Sequence, residues 1–159
     1  MEKSTYLTFL LGKEYFAVNV IYVLEVLQHQ QVTPVPQTPD HILGIINFRG
    51  DILPVIDTRR KFNLPADESD KKPIVIVFDV TSDNQQITIA ATADSVKDVI
   101  EIEPSEIKPV PEMGLSYNAK LISGAIRRNE VFIMMLDINK VFSIKDLASV
   151  EKIVTEIKE

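Results

Sequence analysis

The chain has 159 residues, 45% of them hydrophobic and 25% charged, with a formal net charge of -6; a chain of this length buries roughly 70% of its unfolded surface and can hold a core without staples. It contains no cysteine, which excludes disulfides and thiolate chemistry and fits a cytoplasmic compartment, and it has no apolar run of the roughly 18 residues needed to cross a bilayer. Lysines and arginines are scattered through an acidic chain, so the phosphate-neutralising surface that nucleic acid requires is missing and proteins are the expected partners.

From the start, MEKSTYLTFLLGKEY lacks a basic region followed by a long apolar stretch and a cleavage site, so export is not expected. Tyr6 to Leu11 and Glu14 to Val18 read as strands closed by the turn-forming pair Gly12-Lys13. Residues Asn19 to Gln28 switch to a helical period, with Val20, Val23, Leu24 and Leu27 on one face and Asn19 as N-cap. Ile21 and Val26 add apolar groups on its other side, which predicts a helix covered on more than one face. The proline-rich VTPVPQTP cannot continue a helix and leads as extended backbone toward Ile45-Ile46. In NFRGDILPVID, Arg49 and Gly50 then fall inside what reads as a buried strand. Asn63 to Lys72 is a polar, turn-rich connection that marks the midpoint.

The second half repeats the first. Val23 to Leu27 matches Val96 to Ile100 at an offset of 73, Thr33 to Gln37 matches Lys108 to Glu112 at 75, and Gly44, Ile46, Asp57 and Phe62 match Gly124, Ile126, Asp137 and Phe142 at 80. Preserved order with slowly growing offsets is what two copies of one supersecondary unit produce. Each copy has about five short strand signals, the density of a small closed β-barrel. A barrel of about 70 residues has a marginal core, so two should pack together and share apolar surface, with the helix over Asn19 to Gln28 filling the junction. The predicted fold is mainly β: one domain over 1–159 made of two small barrels of about five strands each, approximately 5–66 and 73–142, packed on each other, with short helices. Ser143 as N-cap and the stripe Leu147, Val150, Val154 and Ile157 predict an amphipathic C-terminal helix over 143–159.

Catalytic chemistry is hard to find. His29 and His41 are the only histidines and neither has a neighbour at metal-ligand spacing, so no metal site is expected. The five glycines stand singly, which leaves no phosphate loop or dinucleotide fingerprint and no expected cofactor. Asp57 and Asp137 could form a carboxylate pair, but as copies of one repeat position they read as strand-end turn residues. An enzyme is disfavoured. Arg49 is the exception to this blandness: among Ile45, Ile46, Phe48 and Ile52 its guanidinium must be solvated, paired or waiting for a partner. Glu25 is the attractive mate, in a pair that can be bidentate. A plain surface arginine with a local ion pair carries comparable weight. The second copy has Asn129 at the Arg49 position, so the repeat unit does not need the pair in order to fold.

The segments YLTFLLGKEYFAVNVIYVLEV, GIINFRGDILPVIDTRRKF, VKDVIEIEPSEIKPVP and ISGAIRRNEVFIMMLDINKVF, in this order over about residues 5 to 147, resemble the CheW family of chemotaxis coupling proteins. That resemblance implies a pair of intertwined five-stranded barrels with a hydrophobic junction, and a cytoplasmic adaptor with no catalysis and no cofactor, recruited to membrane-associated receptor arrays without inserting into the membrane. It implies two partners, the cytoplasmic tip of chemoreceptors and the regulatory domain of the histidine kinase CheA, with other CheW copies in array rings as a further one. The family's receptor-coupling glutamate and arginine fall on Glu25 and Arg49. Val23, Val26, Ile74 and Val75 would form an apolar receptor groove suited to a helical tip, and Thr33 and Gly44 would engage the kinase. Ala90 and Ala93 before Asp94, and Phe48 in place of a leucine, depart from the family pattern and bear on the groove's shape. The alternative reading is a regulatory or ligand-binding barrel whose junction takes a small molecule. A fused receiver domain is not expected in a chain of this length.

Overall fold

In the computed structural model the described residues are 3–28, 30–36, 40–65, 72–82, 85–110 and 121–142. The C-terminal helix expected over 143–159 lies outside them.

β1 (Ser4–Leu11) and β2 (Glu14–Asn19) pair antiparallel across Gly12, whose φ of 62° suits a residue without Cβ. The chain then makes a single 3-10 turn, Val20–Tyr22, and enters β3 (Val23–Leu27). The helix expected over Asn19 to Gln28 is therefore not formed, although Asn19 does cap the short turn by accepting from the Ile21 amide at 3.1 Å. β-branched Val20, Ile21, Val23 and Val26 favour extended backbone, and β3 finds a ladder on β6 (Ile74–Ser82). The register shifts between Val23 and Glu25. One extra residue there breaks the strand's period of two, and this imitates a helical spacing of apolar residues.

β4 (Ile42–Phe48) and β5 (Asp51–Ile56) form the next hairpin. Arg49 and Gly50, expected inside a strand, are its two-residue turn, with φ of 52° and 88°. The hairpin of β9 (Ile122–Arg128) and β10 (Val131–Leu136) turns in the same way on Asn129 and Glu130, at 51° and 66°; two positive φ values match the right-handed twist of the flanking strands. The repeat continues beyond each hairpin. Asp57 caps α1 (Thr58–Lys61) and Asp137 caps α2 (Ile138–Val141), each through its own carboxylate. Phe62 and Phe142 then enter the core with almost no exposed surface. β7 (Gln85–Ala93) and β8 (Ser95–Ile102) complete the strands.

Two five-stranded sheets result, in the orders β8-β1-β2-β10-β9 and β3-β6-β7-β5-β4. Each has a central hairpin, an antiparallel edge strand on one side and, on the other, a second hairpin joined to it by parallel pairing. Each takes strands from both halves of the chain, so the sheets are intertwined. The ladders are open rather than continuous barrels; in each, the segment that follows one edge strand makes an isolated bridge to the other edge, Thr33 to Ile45 after β3 and Lys108 to Ala125 after β8. At the β1–β8 edge the buried Thr8 hydroxyl stands in for a backbone pair, donating to the Asp98 carbonyl and accepting from the Asp98 amide, both at 3.0 Å.

The core has three parts. Val55, Val75, Val77 and Ala90 fill the inside of the second sheet, and Ala17, Ile126, Ile133 and Met135 fill the first. The largest part is the seam between them, where Phe9, Phe16, Phe62, Phe78 and Phe142 meet, with Phe16 and Phe62 stacked at 5.3 Å. Both central hairpins are thus buried on both faces. That is why IVIVFDV reads as a continuous apolar run instead of alternating.

Candidate docking surface

β3 and β4 are the two edges of the second sheet, and the chain that follows β3 curls back to bridge β4 at Thr33–Ile45. This curl carries Glu25, in β3, to the apex of the β4–β5 turn. There Arg49 Nη2 lies 3.3 Å from Glu25 Oε2, a single contact rather than a fork, with the two side chains 67% and 39% exposed. The guanidinium is held from below by the Phe48 ring at 4.7 Å, while Asn47 Oδ1 accepts from the Gly50 amide at 3.1 Å and pins the turn. The cation that looked buried in the sequence is solvated, since it sits at a turn apex and not within a strand.

Around this pair the remaining residues divide. Val23, Val26 and Glu25 lie on β3, opposite Phe78, Ile76 and Val77 of β6, and Val75 pairs with Leu27. Val23 and Val26 are half-buried and pack on the seam. Ile74 is nearly covered, and Val75 is fully enclosed inside the second sheet, so it shapes the surface from beneath. Ile21, 74% exposed, and Leu24, 47% exposed, add apolar area beside Glu25. The sequence assigned them to a covered helix; instead Ile21 stands on the 3-10 turn and Leu24 at the bulge of β3.

Thr33 and Gly44 touch each other. A Cβ on Gly44 would lie 2.2 Å from the Thr33 carbonyl oxygen, and one on Gly124 would lie 2.5 Å from Ile107 Cγ2 and 3.0 Å from the Lys108 carbonyl oxygen. Gly44 is thus required where the chain crosses back over its own edge strand, and Gly124 is closely approached at the equivalent crossing. Thr33 keeps an exposed side chain. A second exposed apolar group, also missed in the sequence, is Phe132 on β10, with Arg127 over its ring at 5.7 Å.

Among the described residues no group of three or more His, Cys, Asp or Glu is placed to hold a metal ion, and no helix is long and apolar enough to cross a membrane. Among the described residues, Glu106 has a perturbed carboxylate. Glu106 accepts from the Glu103 amide, and Arg128 donates to both its oxygens at 3.0 to 3.3 Å; these contacts hold its pKa below the ordinary value.

A family model described as a CheW-like domain matches residues 5–146. The chain belongs to the CheW-like family. Chemotaxis protein CheW of Klebsiella aerogenes is 31% identical over 93% of this chain and 87% of its own length. That of Bacillus subtilis is 33% identical over 82% and 80%. The solved structure of the scaffolding protein TtCheW from Thermoanaerobacter tengcongensis superposes with a TM-score of 0.78 at 25% identity, covering 92% of each chain. The exposed Glu25–Arg49 pair thus lies on a CheW-like domain.

Proposed function

We propose that the protein is a non-catalytic adaptor that binds the cytoplasmic tips of chemoreceptors and the regulatory domain of the histidine kinase CheA together, in cytoplasmic arrays under the membrane. The observation that carries this is the Glu25–Arg49 pair: it is exposed, propped on Phe48, flanked by Ile21 and Leu24, and absent from the equivalent turn of the second half, which closes on Asn129. Arg49 and Glu25 supply the polar contacts to the receptor, with half-buried Val23 and Val26 offering apolar surface to one face of a helix and the covered Ile74 and Val75 supporting that surface from beneath. Thr33 and the Gly44 crossing meet the kinase. Receptor conformation then shifts the kinase between active and inactive populations through differential binding alone, with no phosphate passing through the adaptor.

Arg49→Glu places like charges together at the turn and removes the cation, so receptor-tip capture and kinase activation should fall while the circular dichroism spectrum stays native. Undiminished activation would reject the assignment. The small-molecule reading has no observation in its favour; one void at the seam, beside Phe9, Phe62, Thr58 and Thr92, is about 10 Å³, barely room for one water molecule.

A further inference from the structure

The chain passes between the two sheets at two pseudo-equivalent crossings, β2 to β3 and β7 to β8. They are built differently. At the second, the single residue Asp94 makes the passage, and its amide donates to the Leu10 carbonyl of the first sheet. Its carboxylate accepts from Gly12 N in the β1–β2 turn and from Arg59 Nε and Nη2. Arg59 belongs to α1, which is fastened to the second sheet: Thr58 N donates to Thr92 Oγ1 at 3.2 Å, and the Thr58 hydroxyl donates to the Thr92 carbonyl. A continuous polar chain therefore runs from β7 through α1 and Asp94 to the tip of the β1–β2 hairpin. At the repeat offsets of 73 and 80, the residues standing where Asp94 and Arg59 stand are Ile21 and Asn139. Ile21 is an exposed hydrocarbon with nothing to accept or donate.

We infer that Arg59 and Asp94 form a one-sided clasp that sets the angle between the sheets, so that relative motion of the two lobes pivots at the Asp94 crossing and opens toward the Ile21 crossing. A forked, charged hydrogen-bond pair is directional and resists rotation; the apolar packing of the seam, where Phe9, Phe16, Phe62, Phe78 and Phe142 meet, is not directional. The inference does not depend on which partners the protein serves.

The absence of cysteine makes the test direct. One spin label is placed on each sheet, through Lys97→Cys in β8 and Asp51→Cys in β5, both exposed positions, and the distance distribution is recorded in the full chain. Asp94→Asn and Arg59→Gln should each broaden the distribution. In Asp94→Asn, amide exchange at Gly12 should also rise about tenfold, the loss of one hydrogen bond of ordinary strength. Ile21→Ala should leave the distribution as narrow as in the parent. An unchanged width in both clasp variants overturns the inference, and so does equal broadening by Ile21→Ala, which would mean general loosening. If Asp94→Asn does not fold, Arg59→Gln alone decides on the same criteria.

Discussion

Arg49 holds a left-handed backbone conformation that costs a side-chain-bearing residue roughly 1 kcal/mol, less for asparagine and nothing for glycine. Its exposed ion pair with Glu25 returns under ~1 kcal/mol and its place over Phe48 about 0.5 to 1 kcal/mol, so the arginine is close to neutral for folding. Arg49→Asn, which copies the second half, should therefore move the unfolding free energy in a urea titration by less than about 1 kcal/mol, while receptor binding falls as it does for Arg49→Glu. Gly44 is the opposite case. Gly44→Ala drives a methyl group into the backbone carbonyl of Thr33 and should cost on the order of 1 to 3 kcal/mol. Gly124→Ala should cost less, because Ile107 can change rotamer. Loss of kinase binding in a Gly44 variant would accordingly not identify a contact; a substitution confined to the exposed Thr33 side chain would.

At the scale of single elements, the turn after β8 shows how charge fixes a chain end. The 3-10 segment Pro104–Glu106 has a capping box in which the Glu103 amide donates to the Glu106 side chain, and Arg128 ties that carboxylate to β9. Since the folded pKa of Glu106 lies below its unfolded value, the unfolded chain takes up the proton first as pH falls. The contribution is thus complete above the unfolded pKa and is lost as pH drops through the folded one. Thermal melts should show acid destabilisation that Glu106→Gln partly flattens, with no difference in slope between the two proteins near neutrality. The group is exposed, so the effect should be small and should shrink with added salt.

For the whole molecule, the interleaved sheets dictate cooperativity. Neither sheet can form from one half of the chain, and the seam that joins them is the largest core. Phe62→Ala and Phe142→Ala, at repeat-equivalent positions with almost no exposed surface, should each cost about 3 to 5 kcal/mol. Both should shift one common transition rather than split it. Tyrosine fluorescence and far-ultraviolet circular dichroism followed through the same urea series check this: transitions that fail to coincide would mean that the halves unfold separately.

Much of this was legible from residues alone, because it rests on interactions between near neighbours. The turn at Gly12-Lys13, the equivalence of Asp57 and Asp137 at the strand ends, though not the short helices they cap, the duplicated order of segments and the shared apolar seam all follow from local chemistry and its repetition. Only the tertiary structure decided the rest. Val23 to Leu27 became a strand because β6 offers it hydrogen bonds that no helix propensity outweighs, and the bulge at Leu24 disguised the alternation. Glu25 and Arg49 meet across 24 residues because the chain after β3 folds back on β4 and brings the β4–β5 turn beside β3. Strand pairing at long range is chosen by the free energy of the whole assembly, and a periodicity read within ten residues carries no record of it.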